Sequence, residues 1–315
     1  MRLRAAAIEY EIVPRPGSVP PHMQPAAGTE LQFLAIDALD GFRVDAALWQ
    51  CVGRAPADTT LVVQVHGSGG SYAKPPNAFL GSGLAAGGRA VLAINTRQHD
   101  ELVATENFFD VITDIDAGVR TGRALGYRRI VLQGHSLGSI QVLFYAATHW
   151  DADIRAVSLL GMFGNLPWKT RTILVQDEAA FQALTDAAMA ALRAGNVADL
   201  LPMTMGWFTD AKMPVTAQHF LTYRREETSA ADSTYWIRRV KQPILMVRNE
   251  ADGVIQPFEP YMLLRAAHAE GTLVESIDYV LLPDKGPRSL AGHSFQGNEA
   301  PLIATIARWL GERSL

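Results

Sequence analysis

Six short apolar runs, separated by helical patterns, constrain the fold of this chain more than any other feature. Each run is continuous, rich in β-branched residues and six to eight residues long. Strands that are apolar on both faces are typical of parallel sheets covered by helices on each side. The runs are LVVQVH (61–66), RAVLAIN (89–95), RIVLQG (129–134), IRAVSLLG (154–161), PILMVRN (243–249) and IDYVLLP (277–283).

Helical patterns lie between and after these runs. Residues 110–125 and 138–149 carry apolar side chains at three- and four-residue spacing, which predicts two amphipathic helices. Near the end of the chain, Leu302, Ile306 and Leu310 fall on one helical stripe. Alternating strands and helices predict an α/β fold with a doubly wound, mostly parallel sheet.

Two stretches depart from this alternation. Residues 14–28 are dense in proline and glycine, so we assign 1–28 to an N-terminal arm or loop. The interval 165–240 has no strand-like run and is rich in helix formers and aromatic residues, which predicts an inserted helical cap. The α/β core then comprises 29–164 and 241–315. It starts with LQFLAID and FRVDAALWQ, which flank the turn-like ALDG and predict an antiparallel strand pair.

Composition and charge exclude several classes of partner. Lys and Arg total 28 against 32 for Asp and Glu, a formal net charge of -4, so nothing favours nucleic acid or anionic membranes. No apolar stretch approaches the roughly 20 residues of a membrane span, and Glu9 and Glu11 interrupt the N-terminal apolar run before it forms a signal-peptide core. The single cysteine, Cys51, cannot form an intrachain disulfide and is expected to be a half-buried strand residue. We therefore expect a cytoplasmic protein without nucleic-acid or membrane partners. The sequence leaves open whether the chain forms a homo-oligomer.

The pentapeptide Gly-His-Ser-Leu-Gly places Ser136 between a predicted strand and a predicted helix. A serine hydroxyl is a poor nucleophile until a base removes its proton, and a sharp strand-to-helix turn exposes it for attack. Glycines 134 and 138 suit such a turn because larger side chains would collide with the neighbouring strand or helix. Ser136 would otherwise only cap the helix, but the strand before it and the helix after it favour a nucleophile.

The segment HGSGG (66–70) follows the first apolar run and supplies a flexible turn that can direct a backbone N–H inward. Acyl transfer needs hydrogen-bond donors at the oxygen that becomes negative. We expect the N–H groups of Ser68 and Leu137 to form this oxyanion hole, with Gly67 as the alternative to Ser68. The segment lacks the lysine and the spacing of a phosphate-binding P-loop.

The base and the acid should follow the nucleophile in chain order, after late strands of the sheet. Two histidines, His268 and His293, come after the run at 243–249. His268 lies in a helical stretch, whereas His293 lies in a glycine-flanked loop beyond the last strand, which favours His293 as the base. Glu250 and Asp252 both follow the run at 243–249, and the glycine after Asp252 gives it the turn chemistry of a loop, which favours Asp252 as the acid.

Candidate substrate-binding residues come from the loops and from the cap. Gly67 adjoins the predicted oxyanion hole, and His99 follows another strand, so both should border the same crevice. The cap contributes Trp168, Trp207 and Phe208, of which some should line an apolar pocket, although core packing is the alternative for each. Because no second histidine or carboxylate stands at metal-ligand spacing from His99, we predict no metal site and no cofactor.

The stretches VHGSGG, NTRQHD, GHSLG, NEADG and GHSF occur in the order found in the α/β-hydrolase superfamily, which the chain resembles over nearly its whole length. This resemblance implies that Ser136 is the nucleophile, Asp252 the acid and His293 the base. It also implies a cap between the sixth and seventh strands of the main sheet, where the interval 165–240 falls. The segment HGSGG departs from the HGGG of hormone-sensitive-lipase-like esterases, which disfavours that subfamily.

These residues predict a serine hydrolase that cleaves a carboxylic ester of a medium-sized or hydrophobic small molecule through an acyl-enzyme. Thioesters, amides and lactones suit the same three side chains. A carbon–carbon bond hydrolase and a cofactor-free haloperoxidase are alternatives on the same fold. A non-catalytic ligand-binding or receptor-like protein is an alternative from a different class.

Overall fold

The computed structural model describes residues 8–14, 17, 19–208 and 211–315. Within these residues, nine strands form one sheet in the order β1-β2-β3-β5-β4-β6-β7-β10-β11, and β8 and β9 form a separate hairpin. The strands are β1 Glu9–Val13, β2 Thr29–Asp37, β3 Arg43–Cys51, β4 Thr60–Val65, β5 Ala90–Asn95, β6 Arg129–His135, β7 Ile154–Leu160, β8 Met205–Gly206, β9 Lys212–Met213, β10 Ile244–Asn249 and β11 Ile277–Leu282.

The predicted doubly wound, mostly parallel sheet is confirmed. All six apolar runs are strands that pair in parallel, and the predicted antiparallel pair is β2 with β3. Every residue of β4, β5 and β10 is buried. Alternate residues of β4 point to opposite faces, so Leu61 and Val63 join one apolar cluster while Val62 joins the other. The sheet is therefore a central layer between two apolar cores.

The helices of the described residues cover both faces of the sheet and fill the inserted segment. The predicted helices at 110–125 and 138–149 are confirmed within two residues, and Leu302, Ile306 and Leu310 are fully buried in the last helix. The α-helices are α1 Asn77–Ala86, α2 Phe108–Ala124, α3 Leu137–His149, α4 Leu166–Lys169, α5 Glu178–Ala194, α6 Ala217–His219, α7 Ser233–Trp236, α8 Glu259–Ala267, α9 Leu290–His293 and α10 Glu299–Gly311. Two π-helical turns, Thr170–Val175 and Phe220–Arg224, continue α4 and α6.

The predicted cap, residues 165–240, which we call the cap segment, lies in the chain between β7 and β10. It contains α4 to α7 and builds an apolar cluster of its own from residues that include Phe181, Leu184 and Phe220. The longest of its helices, α5, is preceded by the N-cap residue Asp177, whose carboxylate accepts hydrogen bonds from the N–H groups of the first turn. The short hairpin of β8 and β9 was not predicted, because two-residue strands leave no periodicity in a sequence.

The predicted N-terminal arm contains an edge strand, because β1 pairs antiparallel with β2 over its whole length. Residues 1–7, 15, 16 and 18 of this arm lie outside the described residues. Cys51 is the half-buried last residue of β3, in the kind of environment that its sequence position predicts. No helix in the described ranges is both long enough and apolar enough to cross a bilayer.

Candidate active site

Ser136 lies at the sharp turn from β6 into α3, with backbone angles φ 55° and ψ −122°. A positive φ is a strained conformation for a residue with a side chain, and such strain often marks functional positions. The Ser136 N–H donates to the carbonyl oxygen of Leu160 at 2.9 Å, which fixes the turn against β7. The Ser136 side chain makes no capping hydrogen bond to α3. The geometry is therefore that of a hydroxyl on a strained turn and not that of a helix cap.

Three glycines allow the chain to pack this tightly around the serine. A Cβ atom at Gly134 would lie 2.3 Å from the carbonyl oxygen of Gly138, and one at Gly138 would lie 2.5 Å from that of Val65. A Cβ atom at Gly67 would lie 2.6 Å from the Cβ of Ser136. Real side chains do not approach so closely, so alanine at any of the three positions requires the turn to move.

His293 and Asp252 form a hydrogen-bonded pair at the same edge of the sheet. Nδ1 of His293 donates to Oδ2 of Asp252 at 3.0 Å. The other carboxylate oxygen accepts from the N–H groups of Val254 and Ile255 at 2.8 and 2.9 Å. Burial alone would raise the pKa of Asp252, but His293 and these two N–H groups outweigh burial and hold that pKa below its usual value. The carboxyl group is thus kept ionised, in position to orient the imidazole.

Ser136 and His293 line one cavity of about 290 Å³. Nε2 of His293 is buried and has no hydrogen-bond partner among the described residues, Ser136 included. The imidazole is held from two other sides, because Gly161 packs against the ring and Nε2 of His135 donates to the His293 carbonyl oxygen at 3.0 Å. Catalytic hydrogen bonds are often open without substrate and close when it binds. Nε2 therefore remains available for a proton from the serine or a ligand.

The predicted oxyanion donors occupy suitable backbone positions. Ser68 lines the same cavity, within a turn that the Gly70 N–H closes on the Gly67 carbonyl oxygen at 2.9 Å. Leu137 is the first residue of α3, where backbone N–H groups have no acceptor inside the helix. Gly67, the alternative to Ser68, also lines the cavity. The two segments that carry the predicted donors thus both lie next to Ser136.

Two side chains that were not singled out from the sequence hold this turn. Nδ1 of His66 donates to the Gly67 carbonyl oxygen at 2.7 Å, and Nε2 accepts from the Thr96 N–H at 3.1 Å. Burial lowers the pKa of His66 to about 4, so the ring is neutral at pH 7. Lys74 donates from Nζ to the carbonyl oxygen of Gly69 at 2.9 Å. His66 directly precedes the glycine turn, which was a usable signal, whereas no sequence pattern pointed to Lys74.

The alternative acid and base lie away from this pair. The Glu250 carboxylate accepts from the N–H of Asp284 at 3.2 Å, and Glu250 itself is exposed. His268 follows the last residue of α8 and is exposed. The structure therefore brings together Asp252 and His293, and not their competitors.

A buried ion pair that sequence reasoning missed supports the loop after Asp252. Lys169 Nζ donates to the Val254 carbonyl oxygen at 2.7 Å and contacts the carboxylate of Glu259, and both charged side chains are 1% exposed. Glu259 also accepts from the Gln256 N–H at 2.8 Å. Burial lowers the pKa of Lys169 despite the neighbouring carboxylate. Because 90 residues separate the partners, linear spacing gave no sign of this pair.

The five candidate substrate-binding residues divide into two groups. Gly67, Trp207 and Phe208 line the cavity that contains Ser136. His99 and Trp168 do not contribute to its lining.

The two remaining candidates have other neighbours. Nδ1 of His99 lies 3.0 Å from a carboxylate oxygen of Asp100. Trp168 packs edge-on against Phe258, with ring centroids 5.9 Å apart. Across the described ranges, no group of three or more His, Cys, Asp or Glu side chains is arranged to hold a metal ion.

Comparison with known proteins agrees with this architecture. A family model for the alpha/beta hydrolase fold matches residues 60–214. Est1E from Butyrivibrio proteoclasticus is similar with a TM-score of 0.63 and 18% identity, over 89% of this chain and 98% of that chain.

Two further solved structures give similar values. The hypothetical protein PA2218 from Pseudomonas aeruginosa has a TM-score of 0.66 and 14% identity, over 96% of this chain and 99% of that chain. An acetyl xylan esterase from Paenibacillus sp. R4 has a TM-score of 0.59 and 15% identity, over 95% and 88%. The search of curated proteins found no significant match. The chain thus has the alpha/beta hydrolase fold, and the resemblance to that superfamily inferred from its sequence is confirmed.

Proposed function

We propose that this chain is a serine hydrolase that cleaves a carboxylic ester, or a related acyl bond, of a small molecule. One observation carries the proposal: a serine on a strained strand-to-helix turn and a histidine bonded to a buried carboxylate face the same cavity. Two of the similar structures, Est1E and the acetyl xylan esterase, are esterases by name, which supports this class of reaction.

Each of the three side chains has a defined role in the proposed reaction. Asp252 accepts a hydrogen bond from the Nδ1–H of His293, which leaves Nε2 as the basic nitrogen. Nε2 removes the hydroxyl proton of Ser136 as the oxygen attacks the carbonyl carbon. The N–H groups of Ser68 and Leu137 stabilise the oxyanion. The imidazolium then protonates the leaving alcohol, and the same imidazole activates a water that releases the acid.

An activity-based probe tests the nucleophile directly. A fluorophosphonate should label the protein with one equivalent at Ser136, and Ser136→Ala should abolish labelling. Ser158→Ala is the matched control, because Ser158 is a fully buried serine of β7 that does not line the cavity. Labelling that persists in Ser136→Ala would contradict the assignment.

A substrate panel tests the reaction class. Hydrolysis of p-nitrophenyl esters of increasing acyl length, together with one lactone and one amide, should show Ser136-dependent turnover of esters. Tight ligand binding without probe labelling or ester turnover would instead support a receptor-like protein. Products from a carbon–carbon cleavage or a halogenation assay would favour the alternative enzymes on this fold.

A further inference from the structure

A second and larger cavity, of about 420 Å³, adjoins the one that contains Ser136. The two cavities share Trp207, Phe208 and Val254 in their walls. The two cavities therefore lie side by side at these three residues. We call this second cavity the distal cavity.

The distal cavity is polar and cationic, in contrast to the hydrophobic pocket that the aromatic residues of the cap suggested. Lys169, Lys212, Gln176 and Gln256 all contribute to its lining. No Asp or Glu contributes to it among the described residues. Polar groups that converge in a concave site fix the orientation and the chemical class of a ligand.

The two lysines differ in how far their charges are neutralised. The Lys169 ammonium is paired with Glu259 and lies 4.6 Å from the centroid of the Phe163 ring. Lys212 is exposed on β9 and forms no ion pair with any described residue. Among the described residues that line the cavity, Lys212 is therefore the cation without an acidic partner, and two carboxamides that can donate hydrogen bonds lie in the same lining.

We propose that the substrate carries a carboxylate several bonds from its scissile carbonyl, and that this carboxylate binds in the distal cavity. Lys212 supplies the counter-charge, Lys169 and the two glutamines supply further donors, and Trp207 and Phe208 contact the intervening carbons. Within the described lining, the single unpaired ammonium of Lys212 matches a monoanionic carboxylate better than a phosphate dianion. This inference rests on the proposed hydrolase function and names the substrate class of the same site.

Matched pairs of esters test the proposal. In the acyl series, p-nitrophenyl half-esters of dicarboxylic acids are compared with p-nitrophenyl esters that end in an uncharged isosteric methyl ester. In the alcohol series, acetyl esters of hydroxy acids are compared with acetyl esters of the corresponding methyl esters, followed by titration of released acid. The readout is the ratio of kcat/KM for the charged ester to that for the neutral ester.

In the wild-type protein we expect one of the two series to favour the charged ester by about tenfold, the effect of one charge-assisted contact. Lys212→Gln should reduce this ratio to near one, because glutamine keeps a donor and removes the charge. Lys241→Gln is the matched control and should keep the wild-type ratio. Lys241 precedes β10, at the edge of the parallel sheet opposite to the loop that carries Asp252, and it packs on Trp150.

A ratio near one in both series for the wild-type protein overturns the inference, as does a preference that Lys212→Gln leaves intact. A double variant, Lys169→Met/Glu259→Gln, gives a second test that leaves no unpaired buried charge, and it should also lower the ratio. Ser136-dependent hydrolysis of neutral esters with no charge preference refutes the distal carboxylate alone. The failure of every ester, charged or neutral, refutes the proposed function itself.

Discussion

Replacing Lys169 by methionine removes the cationic half of the buried pair with Glu259. Both side chains are 1% exposed, so water cannot reach the carboxylate that is left behind. Loss of one partner of a buried ion pair typically costs about 3–5 kcal/mol of folding free energy, because the remaining charge stays desolvated. The Val254 carbonyl oxygen also loses its donor. We therefore expect Lys169→Met to lower the free energy of unfolding by about 3–5 kcal/mol.

The double variant Lys169→Met/Glu259→Gln separates the cost of the unpaired charge from the value of the pair. Glutamine is neutral, and its carbonyl oxygen can still accept from one of the two backbone N–H groups that Glu259 binds, those of Gly164 and Gln256. The double variant should therefore be about 2 kcal/mol more stable than the single one. Urea unfolding followed by tryptophan fluorescence and circular dichroism measures both differences. Arg171→Met, which breaks the exposed pair with Glu178, is the control and should leave stability nearly unchanged.

Two outcomes would refute this reasoning. One is a single variant within about 1 kcal/mol of the wild type, which would mean that the remaining carboxylate finds other compensation at little cost. The other is a double variant that is no more stable than the single one. The destabilisation would then come from lost packing of the Lys169 side chain and not from an unpaired charge.

Three further predictions concern the turn and the histidines. Gly67→Ala places a Cβ atom 2.6 Å from the Ser136 Cβ and should lower kcat for p-nitrophenyl esters by about 100-fold, and a change below twofold would contradict it. Asp252→Asn should lower kcat by about 10⁴-fold without changing the fold, because a neutral amide does not stabilise the imidazolium of His293. A loss of kcat below tenfold in stopped-flow assays argues against Asp252 as the acid. Because burial lowers the pKa of His66 to about 4, its unfolded form takes up a proton near pH 6.5 while its folded form does not. The contribution of His66 to the free energy of unfolding is therefore present above pH 6.5 and falls by about 3 kcal/mol as the pH drops to 4. In urea unfolding, the free energy of unfolding of His66→Gln should thus decrease less over this pH range than that of the wild type.

The fold was predictable because its signals are local. Each of the six apolar runs is short and continuous, and the patterns between them have helical spacing, so the chain order alone indicates a parallel sheet. The turn at Ser136 was predictable for the same reason, since glycines 134 and 138 flank it directly. For His293 and Asp252, position after the late strands was enough to prefer them over His268 and Glu250, and the structure joins that preferred pair.

The remaining features depend on contacts between distant residues. Lys169 and Glu259 meet only in the folded chain, and Lys74 reaches the glycine turn through a side chain that no motif marks. The pairing of β1 with β2 lay in a region dominated by the signals of proline and glycine. Among the aromatic cap residues, spacing did not separate Trp207, which lines the cavity, from Trp168, which packs elsewhere.

The position of Lys169 links the cap segment mechanically to the proposed acid. Lys169 is the last residue of α4, near the start of the cap segment, and donates a hydrogen bond to the Val254 carbonyl oxygen. The N–H of Val254 in turn donates to the carboxylate of Asp252. We therefore expect a displacement of this part of the cap segment to reach the carboxylate through these two hydrogen bonds. Exchanging the cap segment to change specificity would remove the hydrogen bond between Lys169 and Val254. Any grafted cap must therefore supply its own cation to the Val254 carbonyl oxygen.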